Sequence, residues 1–296
     1  MAAGLVAVAA AAAVVALSSG EDARAFAVPG SPASIVRTPE ALWVAAPDSG
    51  TVWALDPATG RQDGPPLRTR GAPSRLAAGA ESLWVIDGTR AEAIPVERGE
   101  RRTFAPLGVG ADATDAVLAG DAVWVLSSAE GVVRAFLPGA EKPVELPVGA
   151  GAVDLAAGGR WVVAAGAESG ALARIDAASR QVVEPALALG GVPVAAAVDG
   201  DGAWVADAAR GTVVPVDLRG GRVGAPVDVG RRPIAVAVDG DDVYVLCRGD
   251  RTLVHVEGGE VRSRRPAGAD PVALALDAAH AWVADAGENA VLRYDR

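Results

Sequence analysis

The sequence predicts an all-β fold, a seven-bladed β-propeller with four-stranded antiparallel blades. An aromatic-Val pair recurs at spacings of 41, 40, 37, 43, 40 and 38 residues, and ~40–45 residues is the period of a four-stranded propeller blade. The seven pairs begin at Trp43, Trp84, Trp124, Trp161, Trp204, Tyr244 and Trp282. Helix-period segments are nearly absent after residue 25, which argues against a mixed fold.

Residues 193–232 are the clearest copy of the repeat. An apolar run to Val198, a second around Trp204, an alternating third over 212–216 and a fourth over 223–229 read as four strands. Gly and Asp separate these runs, as is typical of turns between short strands. The next forty residues repeat the scheme, so we interpret this unit as one blade.

The chain predicts how the ring closes. The last copy contains three strands and ends at Arg296 without a fourth. Residues 25–32 match the fourth strand and link at 225–233. We therefore expect the N-terminal strand to complete the seventh blade, which would protect the edges at both termini.

The remaining blades follow in chain order with varying regularity. Blade 1 ends in the turn Asp-Pro-Ala-Thr-Gly at 56–60, in which Asp can bond its own backbone and Pro fixes φ. Blade 2 carries a charged run at 97–102, interpreted as solvated surface, and blades 3 and 4 are more degenerate. The aromatic markers occupy equivalent second-strand positions, so we expect them to pack between blades and not to stack on a ligand.

Composition excludes several classes of function. The 296 residues are 51% hydrophobic and carry a net charge of −10, so a nucleic-acid partner is not expected. The single cysteine, Cys247, rules out an internal disulfide and is interpreted as a small buried thiol. We expect a monomer.

Residues 1–24 form an apolar leader ahead of a propeller domain at 25–296. Residues 2–17 are uninterrupted apolar sequence, and Ala23-Arg24-Ala25 fits a signal-peptidase site. No basic residue precedes the apolar run, and it is shorter than the ~20 residues of a spanning helix. A signal peptide, a membrane anchor, the remnant of a longer membrane protein and a nonfunctional Ala-rich tail all stay open. The first three place the propeller outside the cytoplasm, which we expect.

The sequence contains no recognisable catalytic or metal-binding motif. His255 lies in a third strand and His280 in a turn, so the two are expected at different ends of the ring. The Asp-Gly pairs near 199 and 239 read as hairpin turns, because they lack the ligand spacing of a calcium loop. We therefore predict no catalytic residues, no metal and no cofactor.

A ligand would meet the propeller at one mouth of its channel, the end formed by the blade-to-blade links and the turns after the second strands. The candidate ligand-binding residues there are Asp87, Asp207, Arg231, Arg232 and Asp285. Replacing Asp207, Arg232 and Asp285 by Ala is expected to weaken binding with little effect on stability. Simple solvation of these side chains is the alternative.

With this pattern the chain resembles bacterial extracytoplasmic propellers of the YncE-like and NHL-like group. The resemblance covers 25–296 and rests on packing and turn residues such as Pro193, Trp204-Val-Ala-Asp207 and Gly211-Thr-Val. It implies the propeller fold and a sensor or partner-binding module. Virginiamycin B lyase-like enzymes belong to the same group. Resemblance to them implies a histidine–glutamate cluster with magnesium, and this sequence has no counterpart of that cluster.

These observations predict a non-catalytic extracytoplasmic scaffold that binds or senses a small polar ligand or a protein partner, with possible membrane anchoring through residues 2–17. A lyase-like or lactonase-like enzyme on the same ring is the alternative.

Overall fold

The computed structural model describes residues 23–79, 82–87, 92–97, 102–103, 107–109 and 113–296. These residues form seven antiparallel sheets whose innermost strands surround a central channel. The predicted seven-bladed β-propeller is confirmed. The apolar run at 2–17 and the charged run at 98–101 lie outside the described residues.

The strands follow one another outward from the channel within each blade. The first strand, β1 (Arg24–Ala27), belongs to blade 7. Blade 1 contains β2 (Ser34–Arg37), β3 (Leu42–Ala46), β4 (Thr51–Leu55) and β5 (Leu67–Arg68), with a 3-10 turn at Pro47–Ser49. Blade 2 contains β6 (Arg75–Ala78), β7 (Leu83–Asp87), β8 (Glu92–Glu97), β9 (Arg102–Thr103) and β10 (Leu107–Gly108). Blade 3 contains β11 (Ala113–Ala119), β12 (Ala122–Ser127), β13 (Val132–Phe136) and β14 (Val144–Pro147).

The second half of the ring is more regular. Blade 4 contains β15 (Ala152–Gly158), β16 (Trp161–Gly166), β17 (Ala171–Asp176) and β18 (Gln181–Ala188). Blade 5 contains β19 (Pro193–Asp199), β20 (Gly202–Asp207), β21 (Thr212–Asp217), β22 (Arg222–Val223) and β23 (Val227–Asp228). Blade 6 contains β24 (Pro233–Asp239), β25 (Asp242–Cys247), β26 (Thr252–Glu257) and β27 (Glu260–Pro266). Blade 7 contains β28 (Pro271–Leu276), β29 (His280–Asp285) and β30 (Ala290–Asp295), completed by β1.

Each aromatic marker packs its blade against the next one. Trp124 of blade 3 shares a core cluster with Leu155 and Val162 of blade 4, and the six others also pack against the following blade. Trp161 does so from the first residue of β16, two residues before the expected equivalent position, which Val163 occupies. Buried indole N–H groups find acceptors: that of Trp161 donates to Asp201 Oδ1 at 2.8 Å. The prediction that these residues pack between blades is confirmed, and they join every described pair of neighbouring blades around the ring.

The N-terminal strand closes the ring as predicted. β1 pairs antiparallel with β30, so Ala25 lies opposite Leu292 and Phe26 opposite Val291. The Phe26 ring packs in one cluster with Trp282 of its own blade and with Leu55 of blade 1. Arg293 also crosses this junction, because its Nη1 donates to the carbonyl of Ala58 at 2.8 Å. Blade 7 is therefore completed by β1 and fastened to blade 1 by side chains from both termini.

The fourth strand of blade 5 differs from its prediction. Residues 223–229 were expected to form one strand, but only the short segments β22 and β23 pair with β21. Pro215 lies in β21 with its carbonyl facing outward, where it accepts a bond from the Gly224 amide at 2.8 Å. Since proline has no N–H to donate in return, the outer ladder is interrupted there.

Within the described part of the chain, no helix is long and apolar enough to cross a membrane.

Candidate functional site in the central channel

One equivalent position of each innermost strand lies on the wall of the central channel: the first residue of the shorter strands β2 and β6, and the third residue of the innermost strands of blades 3 to 7. Counting from the blade-to-blade link, this position is occupied in blades 1 to 7 by Ser34, Arg75, Asp115, Asp154, Ala195, Ala235 and Ala273. In blades 3 to 7 the ladder between the first two strands shifts register next to this residue. These seven residues, called the channel ring below, line a cavity of about 230 Å³.

The channel ring is divided into a polar half and an alanine half. Blades 1 to 4 contribute a hydroxyl, a guanidinium and two carboxyls, whereas blades 5 to 7 contribute only methyl groups. Asp115 lies opposite Leu126 near the end of β12, and Asp154 lies opposite Ala165 near the end of β16. The polar half is therefore close to the mouth, the end that carries the links and the turns after the second strands.

Asp115 is almost completely buried. Its Oδ1 accepts the amide of Ala116 and its Oδ2 accepts the amide of Leu155 in blade 4, both at 2.8 Å. The Nε of Arg75 lies 3.8 Å from Oδ1. Burial raises the pKa of Asp115, while the Arg75 charge and the two backbone amides oppose the shift. This carboxyl is the better stabilised anion of the ring.

Asp154 is the partner of Asp115 in the next blade. Its Oδ2 accepts the amide of Ala196 at 2.8 Å, and it lies on the wall of the same cavity as Asp115. Burial, followed by the negative charge of Asp115, raises the pKa of Asp154 well above its ordinary value. Neighbouring carboxyls of this kind titrate as a coupled pair, and Asp154 is the one whose pKa is shifted further toward the protonated form.

Ser34 and Arg75 extend the polar half toward blade 1. The Ser34 hydroxyl oxygen accepts the amide of Leu76 in blade 2 at 3.1 Å. Arg75 donates from Nη1 to the carbonyl of Ser74 at 3.2 Å, and 45% of its side chain remains exposed. A guanidinium with this much free surface can still bind another group in the channel.

Cross-blade bonding explains part of this arrangement but not all of it. Ser34, Asp115 and Asp154 each accept an inner-strand amide of the following blade. The alanines of blades 5 to 7 cannot do so, yet their blades pack in the same ring. Packing therefore does not require two carboxyls and a guanidinium at this level. Together they can donate hydrogen bonds, accept them and transfer a proton.

The predicted mouth residues Asp207 and Asp285 have clear structural partners. Asp207 Oδ1 accepts the amides of Val192, Ala209 and Arg210 at 2.9–3.1 Å. Asp285 is fully buried and accepts the amides of Ala269, Asp270 and Gly287 at 2.7–2.9 Å. Each carboxylate fastens a link to the turn of its own blade. The expectation that their replacement leaves stability unchanged is therefore reversed.

The other three predicted site residues are placed differently. Asp87 is buried at the end of β7. Arg231 is exposed, and its Nε and its backbone amide both donate to the carboxylate of Asp250 at 2.6 Å. Arg232 is exposed at the mouth, where it lines a surface pocket with Arg231. The structure thus brings Arg231 and Arg232 together, but none of the five lines the channel cavity.

The two histidines do not line the channel cavity either. His255 Nε2 lies 2.6 Å from Asp242 Oδ1 and the ring stacks on Tyr244, while His280 Nδ1 lies 3.2 Å from Asp277 Oδ1. Asp242 is the first residue of β25 and Asp277 lies in the turn between β28 and β29, so both are at the junction of the first and second strands of their blades. The prediction that the two histidines lie at different ends of the ring is wrong, because both contact carboxylates at the end opposite the mouth. Across the described residues, no group of three or more His, Cys, Asp or Glu is arranged to hold a metal ion.

The sequence analysis missed the polar half of the channel ring. Asp115 and Asp154 lie in blades 3 and 4, whose repeats are the more degenerate ones in the sequence. Aligning all seven innermost strands on the position two residues after the initial Pro193, Pro233 or Pro271 would have revealed the series. The signal is the contrast between charged residues in blades 2 to 4 and alanine in blades 5 to 7.

Comparison with known proteins shows similarity in structure but not in sequence. No protein-family model matches the chain, and no curated protein sequence is similar to it. The virginiamycin B lyase of Staphylococcus aureus matches with a TM-score of 0.79 and 13% identity, over 93% of this chain and 99% of the lyase chain. The resemblance to virginiamycin B lyase-like propellers is confirmed at the level of fold.

The same fold is found in proteins with very different roles. A chain of Kuenenia stuttgartiensis hydrazine synthase matches with a TM-score of 0.78 and 17% identity, over 90% of this chain and 96% of that one. A chain of the mitotic checkpoint complex matches with a TM-score of 0.80 and 13% identity, over 92% and 91%. Enzymes and non-enzymatic scaffolds thus share this architecture, and function has to be argued from the site.

Proposed function

We propose that this protein is a binding or sensing scaffold that takes up a small polar ligand through the mouth and holds it against the polar half of the channel ring. The observation that carries the proposal is the pair of neighbouring carboxyls, Asp115 and Asp154, beside Arg75 on the wall of the channel cavity. Blades 5 to 7 form the same ring with alanine, so these groups are not needed to build it. Buried polar groups that packing does not require mark a binding site.

Size and charge define the class of ligand. A cavity of about 230 Å³ is smaller than the ~300–1,000 Å³ of sites for drug-sized molecules. Burial, and for Asp154 also the charge of Asp115, favours the protonated form of these carboxyls, and a ligand cation that donates hydrogen bonds can take the place of a proton. Methyl groups of Ala195, Ala235 and Ala273 face the opposite side. We propose a small ligand with an ammonium or guanidinium group and a compact apolar body.

The location outside the cytoplasm is part of the proposal. It is supported by the apolar leader at 2–17. Cleavage after Ala25 would remove Arg24 and Ala25, which are two of the four residues of β1 and pair with Arg293 and Leu292. We therefore propose that the leader is retained as an anchor or cut before Arg24. Cell fractionation and N-terminal sequencing of the native protein test both statements.

A thermal-shift screen of small amines, guanidines, amino acids and neutral sugars tests the channel site. Hits are then titrated calorimetrically in buffers of different ionisation enthalpy. A cationic ligand should release a proton on binding, and Asp154→Asn should weaken its binding about tenfold or more, because a hydrogen bond to a charged group contributes ~1.5–3 kcal/mol. Ala273→Ser alters the opposite side of the same ring and should retain binding. If a ligand binds to Asp154→Asn and to Asp115→Asn as tightly as to the wild type, its site lies elsewhere.

A lyase-like or lactonase-like enzyme is the second candidate. Its support is the same carboxyl pair, which can act as a general acid and base, together with the fold shared with virginiamycin B lyase. An inactive histidine-to-alanine variant is known for that lyase, whereas neither histidine of this chain lines the cavity. Turnover of a cyclic depsipeptide or lactone that disappears in Asp154→Asn would favour the enzyme over the scaffold.

A further inference from the structure

A second concave site lies at the mouth between blades 5 and 6, and it is distinct from the channel. Its cavity measures about 620 Å³. Three arginines and one carboxylate supply its charged lining: Arg210, Arg231, Arg232 and Asp228. The other lining residues are glycines and alanines: Ala208, Ala209, Gly211, Gly230 and Gly249. We call this site the arginine pocket.

Two of the guanidinium groups are held in place from behind. Arg210 donates from Nη1 to Asp207 Oδ2 at 3.2 Å and to the carbonyl of Leu189 at 3.1 Å. Arg231 donates from Nε to Asp250 Oδ1 at 2.6 Å. Both side chains stay more than half exposed, 53% and 79%. Their remaining N–H groups are therefore fixed in position and available to a ligand.

Arg232 is the third and least restrained cation. Its guanidinium makes no hydrogen bond or ion pair with the described residues. Its backbone adopts the left-handed conformation, with φ of 51°, which is uncommon for a residue with a side chain. Ser31 holds the equivalent place in the link before blade 1 with φ of 53°. Neither the turn nor the packing demands arginine there.

The position of Arg210 also distinguishes this blade from its neighbours. In the other blades whose turn is described, the equivalent residue is either serine or acidic: Ser49, Glu130, Ser169, Asp250 and Glu288. At the next junction, between blades 6 and 7, Arg248 is neutralised by two hydrogen bonds to Asp270 at 2.6 and 2.8 Å. The lining of the blade 5–6 junction has three arginines and Asp228, and Asp207 and Asp250 pair with Arg210 and Arg231 from outside it. Arg232 is thus the arginine of this lining that has no carboxylate partner among the described residues, in a protein of net charge −10.

We propose that the arginine pocket binds an oxyanion group, a phosphate or a carboxylate, of a small ligand. Guanidinium groups bind both kinds of oxyanion through paired N–H donors. The floor of glycine and alanine lets such a group approach the backbone closely. This site is independent of the carboxyl pair in the channel, since its residues and theirs do not overlap.

Calorimetric titration with pyrophosphate and with citrate, at constant ionic strength, tests this proposal. Arg232→Ser introduces the residue that the equivalent left-handed position already has at Ser31. It should weaken binding at least tenfold. Arg210→Ser, the residue present at 49 and 169, should do the same. Arg251→Gly is the matched control, because it removes an exposed arginine from a left-handed position outside the pocket, and it should change affinity less than twofold.

The outcomes separate the possibilities. Tighter binding of pyrophosphate identifies a phosphate site and tighter binding of citrate a carboxylate site. Absence of binding by the wild type, or equal losses in Arg232→Ser and Arg251→Gly, would overturn the proposal. Asp154→Asn should leave pyrophosphate binding unchanged, so failure of the channel proposal and failure of this one are distinguishable.

Discussion

The contact between Phe26 and Gly60 provides a direct test of how the ring is closed. Phe26 lies in the N-terminal strand of blade 7, and Gly60 ends the turn at 56–60 of blade 1. Gly60 has a φ of +67°, and a Cβ added there would lie 1.9 Å from Cε1 of the Phe26 ring. Gly60→Ala would therefore introduce both backbone strain and a steric overlap with the closing strand.

The magnitudes follow from these two effects. Alanine in the left-handed conformation costs ~1–2 kcal/mol, and overlap with a buried side chain adds ~1–3 kcal/mol. Phe26→Ala alone should cost ~3–5 kcal/mol, since it removes a buried aromatic ring. In the Phe26→Ala background the overlap disappears, so Gly60→Ala should then cost only the backbone strain. The double-mutant cycle should show a coupling of ~1–3 kcal/mol.

Urea denaturation of the wild type, both single variants and the double variant measures this coupling. Gly240 is the matched control, because its φ is +61° and nothing lies within 4 Å of an added Cβ. Gly240→Ala should cost only the backbone strain and should be additive with Phe26→Ala. If Gly60→Ala is also additive, Phe26 does not pack on blade 1 and the described closure is incorrect.

Three further predictions concern buried polar groups. Asp285→Ala should lower the free energy of unfolding by ~2–4 kcal/mol, because three backbone amides lose their acceptor, whereas Asp217→Ala, which removes a partly exposed turn carboxylate, should cost clearly less; equal losses in urea denaturation would contradict this. Asp154 has a raised pKa, so its stabilising contribution is complete below the unfolded pKa of ~3.9 and is lost as pH rises through the folded pKa. Asp154→Asn should therefore gain stability relative to the wild type as pH increases from 4, and a difference independent of pH would refute the shift. Burial raises the pKa of the Cys247 thiol to about 12, so this thiol should react with a thiol reagent only after unfolding, and rapid reaction in the native protein would contradict the described burial.

The fold could be predicted from the sequence because its signals repeat. Each blade needs one large aromatic residue facing the next blade, and each turn needs residues that tolerate a tight backbone. Seven copies make these requirements visible even where blades 3 and 4 are degenerate. The closing strand was predictable for the same reason, since residues 25–32 carry the pattern of a fourth strand and a link.

The channel site could not be found in this way because a site breaks the repeat. Asp115 and Asp154 replace the alanine of the regular blades, and a single substitution within a strand looks like sequence noise. The mouth carboxylates are the opposite case. Asp207 and Asp285 recur because each one caps a link and a turn, and recurrence in a repeat protein reflects folding requirements more than ligand binding.

The polar and charged groups at the two ends of the ring have different roles. At the end opposite the mouth, Arg296 donates to Asp239 at 2.6 Å in blade 6 and to the carbonyl of Asp277 at 2.7 Å in blade 7. His255 and His280 contact carboxylates of the same end within their own blades, so the charges there stabilise the turns and, through Arg296, join blade 7 to blade 6. At the mouth, the polar half of the channel ring and the arginine pocket keep polar groups that packing does not require. Because the carboxyl pair favours a cation and the arginine pocket favours an oxyanion, a single mouth offers two sites of opposite preference, and a ligand or partner carrying both kinds of group could be held at both.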